Sequence, residues 1–327
     1  MRSMDVRNNT AMVKQTACEL GFDRCGIARA TPIGRAGYFH RWLQSGRAGT
    51  MEYLYKHAEL RTDPGKLLEG AKSVVVVALS YNQPSPPPPD NGGPFGRVAM
   101  YAWGNDYHKV VKKKLFALAD RLHETIQEPF ESKACVDTAP LLERELAAAA
   151  GVGWIGKNTM ALDAELGSHL FLGALVTTLD LEPDEPAIDH CGTCTACLDA
   201  CPTQAFPKPY EMDATRCISY LTIEHRSSID DALQLKMGDW IFGCDVCQEV
   251  CPHNRTAPVT AEPRFAIRPP GPYVSLDEVE NWSEQDYAEQ LRGSAMKRAS
   301  LDMLRRNTAI VKRTQSPTSR SESRDAE

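Results

Sequence analysis

Eight of the eleven cysteines lie between residues 191 and 251, and their spacing is typical of iron-sulfur ligation. The first four follow the pattern C-x2-C-x2-C-x3-C-P, in which three cysteines bind one [4Fe-4S] cluster and the fourth binds a second. The second run repeats the last three positions, but Ile241 stands where its first cysteine belongs, and Cys217 is the candidate replacement. The sequence therefore predicts two ligand sets: Cys191, Cys194, Cys197 and Cys251 for one cluster, and Cys201, Cys217, Cys244 and Cys247 for the other.

Zinc and disulfide bonds are the competing uses of these cysteines. Structural zinc sites usually take two separated C-x2-C pairs, and that arrangement does not account for two runs that each end in a cysteine before proline. A disulfide framework suits a short secreted chain, whereas this chain is long, has an odd number of cysteines and opens with the polar stretch MRSMDVRNN. Both alternatives are therefore disfavoured.

Composition is that of a cytoplasmic protein without a membrane segment. Of the 327 residues, 42% are hydrophobic and 24% are charged. The longest apolar run, at 73–79, is far too short to cross a bilayer. The formal net charge is -6, from 37 Lys and Arg against 43 Asp and Glu. The chain has no overall positive charge that would indicate a nucleic acid partner. Any RNA contact must therefore come from local basic patches.

Helical and strand patterns alternate along the first 180 residues, which predicts an α/β layer. The run 73–79 is rich in valine and is typical of a buried strand. A Gly-Asn-Asp turn precedes a long helix that faces the core with five apolar residues. A further helix follows residue 138, with Asp137 or Thr138 as its cap. The apolar residues of the long helix are Val110, Val111, Leu115, Leu118 and Leu122.

The segment GVGWIGKNT at 151–159 partly matches two nucleotide-binding patterns. The dinucleotide fingerprint must follow a strand, but here a helix precedes the glycines. A phosphate loop needs Ser or Thr after its lysine, but Asn158 stands there. We therefore expect neither NAD nor ATP, and predict a tight loop whose backbone approaches a cofactor.

These patterns divide the chain into four segments. Residues 1–180 form the α/β domain, and 181–258 form a ferredoxin-like domain with two clusters. A helical segment at 259–312 follows, and the tail at 313–327 lacks apolar residues and is predicted to be disordered.

Several segments resemble, in order and at matching intervals, the epoxyqueuosine reductase family of the queuosine pathway. They are DTAPLLERELAAAAGVGWIGKNTM, DHCGTCTACLDACPTQAF, RCISYLTIEHR, IFGCDVCQEVCPHN and RGSAMKRASLDMLRRN. The resemblance covers nearly all of residues 8–310. It implies a cobalamin-binding α/β domain akin to that of reductive dehalogenases, then the two-cluster domain and a helical end.

The resemblance implies the reduction of epoxyqueuosine to queuosine at the wobble position of tRNA. Electrons from an external donor would pass through the two clusters to form cob(I)alamin. Asp137 matches the family's proton donor, and desolvation against the corrin is expected to raise its pKa. We expect a monomer that binds the anticodon loop. The alternatives are an electron carrier with two clusters and no substrate, or a cobalamin-dependent reductase of a small epoxide or halogenated compound.

The matching motifs also imply contacts, and the chain departs from them in two places. The family often has Trp where His253 precedes Asn254 here, and the proline-rich insert at 84–89 is long. The residues predicted around the corrin are Arg61, Tyr107, His108, Asp137, Lys157, Asn158, Thr159, Met160 and Ser168. Those expected between the cluster cysteines and the cobalt are Ser219, Tyr220 and Asp245. The local basic groups predicted to contact tRNA are His225, Arg226, Lys297, Arg298, Arg305 and Arg306.

Overall fold

The computed structural model describes residues 2–90 and 93–315. The strands are β1 Arg24–Arg29, β2 Ser73–Ser80, β3 Phe95–Val98, β4 Ser132–Cys135, β5 Trp154–Ile155, β6 Ala161–Leu162, β7 Leu170–Thr177, β8 Trp240–Phe242 and β9 Tyr273–Ser275. The α-helices are α1 Arg2–Glu19, α2 Ala36–Gln44, α3 Glu52–Lys56, α4 Ala58–Thr62, α5 Tyr107–Thr125, α6 Glu143–Ala149, α7 Ala196–Asp199, α8 Ile218–Ile223, α9 Asp231–Gln234, α10 Val246–Glu249, α11 Leu276–Asn281, α12 Glu284–Gln290 and α13 Leu301–Gln315.

The central sheet has the order β1-β2-β7-β4, and each neighbouring pair is antiparallel. The valine-rich run becomes β2, whose eight residues are all buried, as the pattern predicted. The antiparallel direction was not predicted. A run of β-branched residues predicts that a strand is buried. It does not predict the direction of the strand, which depends on how the connecting segments cross the sheet.

Helices cover both faces of this sheet. Because side chains alternate along a strand, β2 turns Val75 and Val77 towards α1 and α5, and Val74 and Val76 towards α6. The five predicted core residues of α5 are all buried, and the Asp106 carboxylate caps the helix by accepting from the backbone N–H of His108. The sheet thus holds the start of α5 and the end of β4 in fixed positions.

A second sheet joins segments that the sequence pattern assigned to different domains. Strand β3 pairs in parallel with β8 and antiparallel with β9. One hydrophobic core also extends from Val13 to Val311. The proposed boundaries at 180 and 258 stay predictions, but packing runs across both of them.

The C-terminal helical segment is broken into α11, α12 and α13. Ser283 starts α12 through a reciprocal capping box with Asp286, which interrupts a continuous helix. Helix α13 continues to Gln315, so the prediction of disorder from residue 313 was wrong for 313–315, and 316–327 lie outside the described residues. Within the described ranges, none of the helices has the length and apolar character needed to cross a membrane.

Candidate functional site

The first predicted set of cysteines surrounds one cavity near the surface. Cys191, Cys194, Cys197 and Cys251 all line it. Cys194 is exposed and Cys251 is buried. Burial raises the pKa of Cys251, while hydrogen bonds from the backbone N–H groups after it favour the thiolate. One edge of this four-cysteine group is therefore open to solvent.

The four cysteines of the second predicted set are all partly buried. Cys217 precedes α8 and receives hydrogen bonds from the backbone N–H groups of Ser219 and Tyr220, which offset part of the rise in its pKa caused by burial. Burial also raises the pKa of Cys244 and of Cys247, and their thiols lie close enough to Cys217 to act on one another. Cys217 therefore lies near Cys244 and Cys247, where the predicted replacement for the cysteine missing at Ile241 is expected.

The chemistry of these groups fits an iron-sulfur cluster. Buried thiolates repel one another and need positive charge among them. Within residues 2–90 and 93–315, no three His, Cys, Asp or Glu side chains converge on a point suited to one metal ion. The individual ligand sets stay predictions.

Two residues predicted at the corrin, Lys157 and Asn158, contact the cysteine loops, and their contact with a corrin stays a prediction. The buried ammonium of Lys157 donates to the carbonyl oxygens of Gly192 and Cys194, at 2.7 and 2.8 Å. The Asn158 amide donates to the Cys247 carbonyl, at 3.3 Å. These two side chains therefore tie the 151–159 loop to both cysteine groups.

Three further corrin predictions belong to the same region of the chain. Ser168 is buried and bonds the side chains of Gln248 and Asn254. Thr159 has a positive φ of 63°, and its carbonyl accepts from Arg144. Met160 is half-buried and packs on the small core around the first cysteine group. Whether any of the three contacts a corrin stays a prediction.

Asp137 lies at the end of β4, beside the first turn of α5. Its Oδ2 accepts from the Tyr107 hydroxyl at 2.9 Å and faces Nε2 of His108 at 3.0 Å. The other ring nitrogen of His108 faces Oδ1 of Asp106 at 2.7 Å. The Tyr107 ring stacks on Phe171, with centroids 4.3 Å apart. Three predicted site residues, Tyr107, His108 and Asp137, are thus in direct contact.

The prediction that Asp137 or Thr138 caps the next helix was wrong. Helix α6 begins at Glu143, and no side chain caps it. The intervening stretch contains Pro140 and is not helical, while Asp137 has a positive φ of 39° and donates its backbone N–H to the Glu143 carboxylate. The Asp137 side chain is therefore free to point towards α5 rather than back along the chain.

The charge state of Asp137 also differs from the expectation. Burial acts to raise its pKa, but hydrogen bonds from His108 and Tyr107 outweigh burial and lower it. The carboxyl is 58% exposed, so desolvation is incomplete in this arrangement. Burial acts to lower the pKa of His108, but Asp106 and Asp137 raise it to about 9. The proton of this pair therefore resides on His108 near neutral pH.

Arg61 lies next to the Asp137 loop. It is buried, and its Nε has no hydrogen-bond partner among the described residues. Its guanidinium lies 5.6 Å from the Tyr53 ring centroid, and the Arg298 guanidinium lies 5.5 Å from the same ring. An unpaired buried donor is costly unless a ligand completes it. This donor therefore fits the polar groups of a bound cofactor.

The basic residues predicted at tRNA divide into two groups. Arg298 pairs with Glu224 through two contacts of 2.8 and 2.9 Å and is close enough to Asp137 to lower the pKa of that carboxyl. Lys297 and Arg226 are exposed. His225 contacts the Ser228 carbonyl with Nε2. Of these four residues, Arg298 lies near the Asp137 carboxyl.

Arg305 and Arg306 instead hold the fold. The Arg306 guanidinium donates to the carbonyl oxygens of Leu221, His225 and Ser227. Arg305 donates to the Trp282 carbonyl. With these groups engaged inside the molecule, the prediction that this pair contacts tRNA has no geometric support.

The side chains of Tyr220 and Asp245, near the second cysteine group, form hydrogen bonds within the protein. The Tyr220 hydroxyl contacts the backbone N–H and the hydroxyl of Thr50. Gly49 has a positive φ of 57°, and a Cβ there would stand 2.3 Å from the Tyr220 hydroxyl. Asp245 is buried, accepts from the Met100 N–H, and has its pKa raised by burial to about 7.

Sequence reasoning missed Tyr53, Glu143 and Tyr101. Burial raises the pKa of Tyr101, and the charges of Asp137 and Asp245 both add to that rise. Its ring meets Tyr107 edge to face, with centroids 6.1 Å apart. The available signal was the aromatic segment before the Gly-Asn-Asp turn, which the strand and helix patterns did not assign to any role.

Comparison with protein-family models gives two matches. Residues 190–254 match a 4Fe-4S double cluster binding domain, and residues 61–138 match an epoxyqueuosine reductase family model. The first range contains both cysteine groups. The chain therefore carries a domain for two [4Fe-4S] clusters, and the second range contains Arg61, Tyr107, His108 and Asp137.

Known proteins match over nearly the whole chain. An epoxyqueuosine reductase of Leadbetterella byssophila is 41% identical over 94% of this chain and 99% of its own length. A crystal structure of epoxyqueuosine reductase with an epoxyqueuosine-modified tRNA-Tyr stem loop is 30% identical, covers 95% and 83% of the two chains and has a TM-score of 0.84.

Two other solved structures are similar to this chain to different degrees. One, of the epoxyqueuosine reductase from Bacillus subtilis, has an aspartate catalytic loop swung out of the active site; it is 28% identical over 95% of this chain and 83% of its own, with a TM-score of 0.84. A catabolic reductive dehalogenase matches at 14% identity, over 94% and 36% of the chains, with a TM-score of 0.47. That level of likeness says nothing of function.

Proposed function

Because this chain belongs to the epoxyqueuosine reductase family, we propose that it reduces epoxyqueuosine to queuosine at the wobble position of tRNA. It is an oxidoreductase with two [4Fe-4S] clusters, which would take electrons from an external one-electron donor. The observation that carries the proposal is the Asp137 site, where Tyr107 and His108 hold a carboxyl that is open to solvent. An electron carrier without a substrate has no need of such a site.

Cobalamin is the second cofactor in this proposal. When bound, it supplies a reduced cobalt centre that reacts with epoxides as a nucleophile or as an electron donor. The unpaired Nε of buried Arg61 supports a polar ligand beside Asp137, and Tyr107 and His108 border the same place. These residues would hold the corrin and keep the Asp137 carboxyl oriented.

Residues of this chain would donate the proton that the reaction needs and would bind the RNA. Asp137 would pass a proton to the oxygen that leaves the substrate. Lys297, Arg298 and Arg226 would attract the anticodon-loop phosphates, because RNA backbone contacts are largely electrostatic. The position of Arg298 over Tyr53, near Asp137, supports entry of the modified nucleoside from this side.

The decisive test is nucleoside analysis of tRNA after incubation with reduced, cobalamin-loaded protein. We expect tRNA that bears epoxyqueuosine to yield queuosine, and protein lacking cobalamin to yield none. Reduction of the clusters without conversion of the tRNA would instead favour the electron carrier. Turnover of a small epoxide or halide but not of the tRNA would favour the third alternative.

A further inference from the structure

His108 is held between two carboxylates through both ring nitrogens. Nδ1 lies 2.7 Å from Oδ1 of Asp106, and Nε2 lies 3.0 Å from Oδ2 of Asp137. A carboxylate offers only acceptors, so a ring that bonds one at each nitrogen carries a proton on both. The Tyr107 hydroxyl donates to the same Oδ2. The geometry is that of an imidazolium fixed against Asp137.

The reaction requires more protons than Asp137 can hold. Removing the oxygen of an epoxide as water consumes two electrons and two protons: both carbon-oxygen bonds break, and a carbon-carbon double bond remains. The electrons come from the external one-electron donor through the clusters. One carboxyl holds one proton at a time, so it must be reprotonated within each turnover.

We propose that His108 is the group that holds and resupplies this proton, passing it from Nε2 to Oδ2 of Asp137, which delivers it to the departing oxygen. This inference rests on the proposed function. The His108 side chain is 32% exposed, so it can take the second proton from solvent. His108 therefore returns a proton from solvent to the Asp137 carboxylate within each turnover.

The charges around His108 favour this assignment. Its raised pKa, about 9, and the lowered pKa of Asp137 place the proton on the ring between turnovers. Entry of substrate and cofactor would desolvate the carboxylate and drive the proton towards Oδ2. The ionisable groups that face this pair from the surrounding elements are Asp106, which caps α5, Lys109 on α5, Tyr101, Tyr107, Tyr53, Arg61, Glu143 and Arg298.

The pH profile distinguishes a proton-transfer role of His108 from a purely structural role, because loss of a structural residue would leave the profile unchanged. In His108→Gln the amide can still donate to Asp137 but holds no transferable proton. We expect kcat near neutral pH to fall roughly 10²-fold, and the alkaline limb of the profile to move towards the pKa of an unpaired carboxyl. The matched control is His123→Gln, on the same helix, whose ring bonds the Ala119 carbonyl away from the site; its profile should match the wild type.

A second variant changes Asp106, the carboxylate at the other ring nitrogen of His108. Asp106→Asn keeps an acceptor for the ring but removes one negative charge, so the pKa of His108 should fall. We expect the alkaline limb to move down from about pH 9, while kcat on the acidic side stays within a few-fold of the wild type. An unmoved limb in this variant would count against His108 as the proton holder.

The pKa of His108 can also be read without turnover. Imidazole ¹⁵N shifts of the cluster-containing protein without cobalamin should show one histidine titrating near pH 9, absent in His108→Gln and shifted down in Asp106→Asn. Titration at the ordinary histidine pKa, or an unchanged profile in His108→Gln with an active wild type, overturns this inference alone. A wild type that converts no epoxyqueuosine overturns the proposed function and this inference with it.

Discussion

The character of Asp137 is set by its partners. Two donors on one oxygen stabilise the carboxylate, and the positive φ of 39° turns the side chain away from the helix that follows it. Asn and Asp tolerate this backbone region better than most residues. A carboxyl at this point can therefore be exchanged for an amide with little strain.

For Asp137→Asn we expect both clusters and cobalamin binding to be retained, with turnover on epoxyqueuosine tRNA lowered roughly 10²- to 10⁴-fold. The amide accepts the Tyr107 hydrogen bond but cannot carry a proton to the substrate. Nucleoside analysis measures the activity, and the visible spectrum reports the clusters. Normal turnover would remove Asp137 as the acid.

At the level of elements, α13 secures the part of the chain that carries the second cysteine group. Asn307 is fully buried and donates to the carbonyl oxygens of Thr222, on α8, and Ile241, on β8, at 3.0 and 2.9 Å. Arg306 bonds the turn after α8. Since Cys217 precedes α8 and Cys244 follows β8, the helix fixes the spacing between these two predicted ligands.

Asn307→Ala should destabilise the protein, because it leaves two buried carbonyl groups without donors, at roughly 1–3 kcal/mol for each. The measurement is the midpoint of denaturant unfolding of the anaerobic protein with its clusters. Asn281→Ala is the control, since its amide bonds the Asp277 carbonyl at an exposed site, and we expect a change within about 0.5 kcal/mol. Equal midpoints for the two variants would contradict this account of α13.

Across the whole molecule, two places are open to solvent. The first cysteine group has an exposed member, Cys194, and the Asp137 carboxyl is also exposed. The cysteines of the second group are partly buried. This arrangement suits a molecule that accepts electrons at one exposed place and meets its substrate at another.

Cys217→Ser should remove one cluster and spare the other, lowering iron from about eight to about four per chain. The reason is that Cys217 is the predicted replacement for the ligand missing at Ile241. Iron and sulfide analysis of anaerobically purified protein measures the change, with Cys18→Ser as control because that thiol is exposed and outside both groups. Two intact clusters in the variant would show that another residue ligates.

Local spacing sufficed for the features that depend on neighbours in sequence. The cysteine runs predicted two clusters, the valine-rich run predicted β2, and the Gly-Asn-Asp turn predicted where α5 begins. Each rests on contacts within a few residues or on a single repeating pattern. The antiparallel order of the sheet does not, because the pairing of strands far apart in the chain sets it.

Contacts between distant segments settled what each polar residue does. Arg298 and Arg306 read alike as basic residues, yet one lies beside Asp137 and the other is enclosed by carbonyl oxygens. Asp137 read as a helix cap or an acid, and its partners on α5, about thirty residues earlier in the chain, decide its charge. A side chain's pKa and hydrogen bonds depend on what folding places next to it, and sequence spacing carries no record of that.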